Sequence, residues 1–188
     1  MRRLFCLIVL GLSGCGATDV LLPYAPTHAV TQAPLAVGVA SVVVTDTRGE
    51  DGHYIGTIRG GFGNPLKTIR SAGTTADAVR DAIRTALQAR GWSAATGDTL
   101  AVDLTRFDVD QMARREAHAE FRVTLKNASG QVVYQDAVQA EDINGSIISL
   151  STGVFASPDD LSALMVQTMN EAIDRMLDKP GFRAALGG

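Results

Sequence analysis

Hydrophobic positions along this chain follow two rhythms, and each predicts a different element. Residues 35–45 carry Val37, Val39, Val42, Val43 and Val44 with almost no polar alternation. A run apolar on both sides predicts a strand in the middle of a sheet. It ends at Asp46-Thr47-Arg48, and Gly49-Glu50-Asp51-Gly52 predicts a turn. Residues 53–59, around Tyr54, Ile55 and Ile58, predict a short strand. Residues 66–71 would return beside it across the tip Gly60-Gly61-Phe62-Gly63-Asn64-Pro65. Leu100, Val102 and Leu104 alternate with polar residues, and the phase then moves to Phe107 and Val109, which predicts a bulge near Thr105 and Arg106. The cleanest period of two places Ala117, Ala119, Phe121, Val123 and Leu125 on one face. His118, Glu120, Arg122, Thr124 and Lys126 fall on the other, which should be wet. Asn127-Ala128-Ser129-Gly130 predicts a hairpin turn, with Val132, Tyr134, Val138 and Ala140 on the returning strand.

The second rhythm is helical. Val79, Ala82, Ile83, Ala86 and Leu87 form one stripe over residues 75–90. Thr74 or Thr75 can cap this helix, Asp77 suits its first turn, and Gly91 suits its end. Trp92, the only tryptophan, is expected to be buried. Ser157-Pro158-Asp159-Asp160 is a strong helix opening. Leu161, Leu164, Met165, Met169, Ala172, Ile173, Met176 and Leu177 then make a core stripe, and Pro180 stops it. Residues 142–156 are apolar but broken by Gly145 and Gly153, and predict an irregular loop or a surface for a partner. Residues 181–188 predict a frayed tail. The two rhythms together predict one α+β domain over residues 35–180. Its sheet, mixed or antiparallel, should have about four to five strands with two amphipathic helices packed on one face.

Residues 1–34 read differently. Arg2 and Arg3 precede an apolar run, and Leu12-Ser13-Gly14-Cys15 closes it with small residues and a cysteine. That is the layout of a secretory signal. The run is far shorter than the roughly 20 residues a spanning helix needs. Leu12-Ser13-Gly14-Cys15 resembles a bacterial lipobox. The resemblance implies a signal peptide over residues 1–14, cleavage before Cys15, and acyl chains on Cys15 that hold the protein on a membrane. The alternative is an ordinary signal peptide cut near here. Gly16, which is not Asp, implies by resemblance to enterobacterial lipoproteins an outer-membrane location facing the periplasm. Pro23, Pro26 and Pro34 then predict an extended tether over residues 15–34, with His28 solvated.

Loss of Arg2 and Arg3 with the signal leaves 15 basic against 20 acidic residues, a formal charge of −5. No basic face invites nucleic acid. The two cysteines, Cys6 and Cys15, leave no disulfide in a lipidated mature chain. His28, His53 and His118 stand apart, so no metal site is indicated, and no cofactor is implied. No serine sits in a Gly-x-Ser-x-Gly elbow. The glycine-rich tip lacks the Lys-Ser/Thr ending of a phosphate loop. Asp108 and Asp110 read as a solvated strand face, and Asn127 and Asn144 as turn chemistry. Asp46 and Arg48, and the tip residues Gly60, Gly61 and Phe62, remain as candidate binding residues. The charged cluster Asp46, Arg48, Glu50 and Asp51 reads first as a structural ion pair or solvated turn, with a functional site as the lesser reading.

Several motifs stand in a telling order. Val43-Val44-Thr45-Asp46-Thr47-Arg48 leads to Tyr54-Ile55-Gly56, and then to Ala89-Arg90-Gly91-Trp92 at a helix end. Over residues 35–178 the chain resembles the YajG-type bacterial lipoproteins. The resemblance implies two helices packed on one sheet and brings no catalytic residues. Such domains are similar to auxiliary lipoproteins of envelope ABC transport systems and to the N-terminal domain of TolB. The expected function is a non-enzymatic, membrane-anchored binding or scaffold module of the cell envelope. Its partner would be an envelope protein or a second copy of itself. The alternative is an auxiliary subunit of an ABC-type lipid or solute transport system. A deep pocket joining Asp46, Arg48 and His53 would argue for an enzyme instead.

Overall fold

In a computed structural model describing residues 16–30, 35–112, 114–144 and 157–188, one long strand places the rest of the chain. The elements in order are β1 (Gly16–Val20), β2 (Val39–Asp46), β3 (Tyr54–Arg59), β4 (Pro65–Ser71) and α1 (Thr75–Ala89). They continue with β5 (Asp98–Gln111), β6 (Arg115–Lys126), β7 (Val132–Asn144), α2 (Pro158–Asp178) and α3 (Pro180–Ala185). The lipobox, Cys15 and residues 145–156 lie outside the described residues.

The sheet has seven strands in the order β1-β4-β3-β5-β6-β7, with β2 also on β5. It is mixed: β5–β6, β6–β7 and β3–β4 are antiparallel, while β1–β4, β2–β5 and β3–β5 are parallel. This corrects the expected four to five strands and two helices: the described residues form seven strands and three helices. One strand of the difference is β1, which comes from the proline-containing stretch read as a tether.

That shared edge is the unusual part of the topology. β2 runs along β5 from Asp98 to Leu104, and β3 resumes in the same direction at Val109. The two are one line of strand interrupted by residues 47–53. The interruption lies where β5 bulges between Leu104 and Arg106, at the position the phase change predicts. Beyond it Leu100, Val102 and Leu104 give way to Phe107 and Val109 on the buried face.

The buried face of β5 and β6 meets the apolar stripe of α2, and α1 packs on β2 and against α2. Val79, Ile83 and Leu87 of α1 and Met165, Met169, Ile173 and Leu177 of α2 are buried in this layer. Each such side chain contributes about 1.5–3 kcal/mol when withdrawn from water. Thr74 caps α1 by accepting from the Asp77 amide, and Ser157 caps α2 by accepting from the Asp159 amide. Gly91 sits at φ +71, the left-handed conformation that ends a helix, and its amide donates to the Gln88 carbonyl.

Three further expectations change. β2 pairs with β5 alone among the described strands, and Val43 is half exposed, so the valine run marks an edge strand. Its β-branched residues report strand propensity, and burial on both sides does not follow from that. His118, on the wet face of β6, is buried between Glu116 and Glu141. The tail is ordered: α3 brings Phe182 and Leu186 into the core, where Phe182 meets Tyr134 edge-on with ring centroids 5.8 Å apart.

Candidate functional site

The loop between β2 and β3 holds Asp46 and Arg48, and geometry assigns them a task in the sheet. Thr47 donates from its amide and its hydroxyl to the Leu104 carbonyl, the last contact of β2 with β5. The next carbonyl a continuing strand would bind is that of Phe107. Arg48 Nη1 donates to it at 2.5 Å and to the Tyr54 carbonyl at 3.0 Å. The guanidinium also lies over the Phe107 ring, 5.9 Å from its centroid. Asp46 accepts from Arg48 Nε at 2.8 Å and from Nη2 at 2.6 Å, a bidentate pair. These donors hold the Asp46 carboxyl below its ordinary value. Arg48 thus supplies side-chain donors where the broken strand supplies no amide.

His53 does not join this pair. Its amide donates to Asp51, and its Nδ1 stands 3.4 Å from the Ser71 carbonyl. A recess of about 310 Å³ beside Arg48 is lined also by Tyr54, Arg59, Arg106, Asp108 and Asp110, but by neither Asp46 nor His53. Within it Arg59 binds Asp110 and Arg106 binds Asp108, each at 2.8 Å, and Glu50 also lines it.

Gly60, Gly61 and Phe62 form the tip of the β3–β4 hairpin. The Gly60 amide donates to the Asn64 carbonyl and the Gly63 amide to the Gly60 carbonyl, both at 2.8 Å. Gly63 takes φ +80, which glycine alone adopts freely. Phe62 is fully exposed at the apex, with no neighbour covering its ring. The structure therefore separates the two candidate groups, Asp46 with Arg48 at the middle of the sheet and the tip at one end.

Sequence reasoning missed a buried polar cluster at the helix seam. Arg90 Nη2 lies 2.9 Å from Asp174 and 3.2 Å from Asp178. Tyr24 donates to Asp174 Oδ1 at 2.6 Å, and the Thr27 amide and hydroxyl both donate to Oδ2 at 2.7 Å. His28 Nε2 is 2.8 Å from Asp178. Burial pushes the Asp174 carboxyl up, but the donors from Tyr24, Thr27 and Arg90 outweigh it, and the net direction is down. Burial, with the bond to Asp174, pushes the Tyr24 phenol up to about 12. The cluster ties residues 20–28, including buried Val20 and Leu22, onto α1 and α2, so the expected tether is docked. The available signal was Asp174, a charge within the buried stripe of α2.

Among the described residues no group of three or more His, Cys, Asp or Glu side chains is placed to hold a metal. No described helix is long and apolar enough to cross a membrane. An open apolar recess of about 400 Å³ lies between Leu21, Leu22 and Tyr24 on one side and Ala78 and Ala82 of α1 on the other.

No protein-family model matches the sequence, and no curated protein matches it significantly. Solved structures do resemble it. Protein XCC0632 from Xanthomonas campestris, of the family model DUF330, has a TM-score of 0.64 at 17% identity, covering 89% of this chain and 96% of that one. A second, described as an uncharacterized protein, has a TM-score of 0.53 at 13% identity over 86% and 95% of the two chains. A PelC dodecamer from Paraburkholderia phytofirmans is more distant, with a TM-score of 0.41 at 12% identity over 79% and 90%. The first two likenesses establish a shared fold across nearly the whole described chain, and the third carries no argument.

Proposed function

We propose that this protein is a lipid-anchored envelope lipoprotein whose folded domain binds another envelope component without catalysing a reaction. The observation that carries the reading is Leu12-Ser13-Gly14-Cys15 following a short apolar run behind two arginines. Acyl chains contribute about 0.8 kcal/mol per buried CH₂, so two or more chains make a lasting anchor. The outer membrane, facing the periplasm, is the location we propose from Gly16. The YajG-type resemblance belongs to this reading and rests on the strand and helix-end motifs alone.

The candidate polar residues support a binding module. Asp46 and Arg48 are consumed in sealing the sheet, and in the recess beside them Arg59 is paired with Asp110 and Arg106 with Asp108. A second reading, an auxiliary subunit of an ABC-type lipid or solute transport system, is favoured by the apolar recess at Leu21, Leu22 and Ala82. Metabolic labelling with a fatty acid tests the anchor: label is expected on residue 15 and absent from a Cys15→Ser variant. Crosslinking in intact membranes tests the partner. A trapped envelope protein or self-oligomer is expected, and a co-purified permease would favour the second reading. An unlabelled, soluble mature chain would overturn the proposal.

A further inference from the structure

The register of β1 decides which end of the domain faces the proposed anchor. β1 runs parallel to β4 with Gly16 opposite Lys67 and Val20 opposite Ser71. β4 begins at Pro65, opposite Arg59 at the end of β3. Gly16 therefore lies at the end of the sheet that carries the hairpin tip. β5 ends at this side with Gln111, β6 starts here with Arg115, and β7 ends here with Asn144.

Exposed apolar side chains line this same end. Phe62 projects from the tip, fully in solvent, with Leu66 at the start of β4, Met112 just past β5 and Ile143 near the end of β7. Across four strand spacings of roughly 4.8 Å they make a rim about 20 Å long. The other exposed apolar residues, Leu21, Val37, Val43, Val132 and Val133, lie elsewhere, and none is aromatic. Gly16 is level with Lys67, two residues inside Pro65, so the tip reaches roughly 7 Å or more beyond it at about 3.4 Å per residue. That reach matches the roughly 5–10 Å by which apolar groups of interfacial proteins enter the headgroup–acyl boundary.

Near the tip the charges are paired, and Asp142, next to Ile143, projects to the opposite face of β7. Arg59 binds Asp110, Arg114 binds Glu116 and Arg115 binds Asp160, so these carboxylates are already paired. Lys67 is exposed beside Leu66, with a stem long enough to hold its ammonium among headgroups.

We propose that the hairpin tip over residues 60–63 inserts Phe62 into the bilayer interface, with Leu66 and Met112 against it. The anchored domain then lies on the membrane instead of standing away from it. The proposal rests on the lipidation of Cys15 and adds an orientation to it. Occupancy by phospholipid is favoured over a protein partner because Gly16, next in sequence to the proposed acylation site, and the exposed ring of Phe62 share one end of the sheet.

The test uses the full mature lipoprotein, extracted from membranes and reconstituted into phosphatidylethanolamine and phosphatidylglycerol vesicles with brominated acyl chains. Phe62→Trp adds a reporter at the tip, and Val132→Trp adds one at the opposite end. Native Trp92, buried, gives the background emission. The Phe62→Trp protein should lose most of its added emission in brominated vesicles and shift to the blue. The Val132→Trp protein and the native protein should not change. Fatty-acid label on residue 15 with unquenched emission from the Phe62→Trp reporter would overturn the orientation while leaving the anchor intact. Equal quenching of both reporters would overturn it too. Blue-shifted Phe62→Trp emission without lipid would assign the tip to the protein's own residues, or to a second copy if the shift depends on concentration. Absence of the label would instead overturn the anchor.

Discussion

The Arg90 guanidinium sits 2.9 Å from the Asp174 carboxylate, with the two side chains 1% and 2% exposed. They join the end of α1 to α2 and hold residues 24–27 against both, through Tyr24 and Thr27. A buried pair of this kind is weak evidence of net stabilisation, but removal of one member strands the other charge. Arg90→Met should therefore cost about 3–5 kcal/mol, read as a lower urea midpoint. Arg90→Met combined with Asp174→Leu should recover part of that loss. An Arg90→Met midpoint equal to that of the native protein would refute the account.

Stability should fall on both sides of a pH plateau. Asp46, Asp136 and Asp174 all titrate below the ordinary aspartate value of 3.8 in the folded chain, Asp136 down to about 2 through the Lys179 ammonium and the Tyr134 hydroxyl. A depressed folded value means stabilisation present above pH 3.8 and lost as pH falls towards about 2. Tyr24 has the opposite sign: raised from 10.0 to about 12, it contributes stability below pH 10 that is lost as pH rises through 12. Urea midpoints measured across pH should show both limbs. Asp136→Asn should flatten the acid limb and Tyr24→Phe the alkaline one.

Arg48 replaces a missing backbone donor at the β5 bulge, so Arg48→Met should leave the Tyr54 and Phe107 carbonyls and the Asp46 carboxylate without its bonds. The expected loss is about 1–3 kcal/mol for each buried group left unsatisfied. Hydrogen exchange should quicken at β3 amides before those of β6. Arg48→Lys should rescue little, since an ammonium cannot reproduce the bidentate fork. Unchanged exchange at β3 in Arg48→Met would count against this role.

The end of the chain should matter to stability. Phe182 is fully buried between Tyr134 and Trp92, with centroids 5.8 and 6.5 Å away. Phe182→Ala should cost about 3–5 kcal/mol, seen as a drop in thermal midpoint. A frayed tail would show almost no change.

The sequence by itself determined the local elements. Apolar spacing is a local property, so the stripes of α1 and α2, the dry face of β6, and the β5 bulge were readable from residue order. The caps Thr74 and Ser157 were readable too, because a cap bonds two or three residues away. Only the tertiary structure decided which strands share an edge, and hence that Arg48 fills a gap in one. It also decided that Gly16–Val20 docks on β4, that Phe182 closes the core, and that Tyr24 and Arg90 meet Asp174. The physical reason is sequence distance: Tyr24 lies 150 residues from Asp174 and Arg48 lies 59 from Phe107. A charge in an apolar stripe has a buried partner somewhere, but periodicity cannot say where. The position of Gly16 beside the tip of Phe62 is likewise a matter of strand register, which appears only when the sheet is assembled.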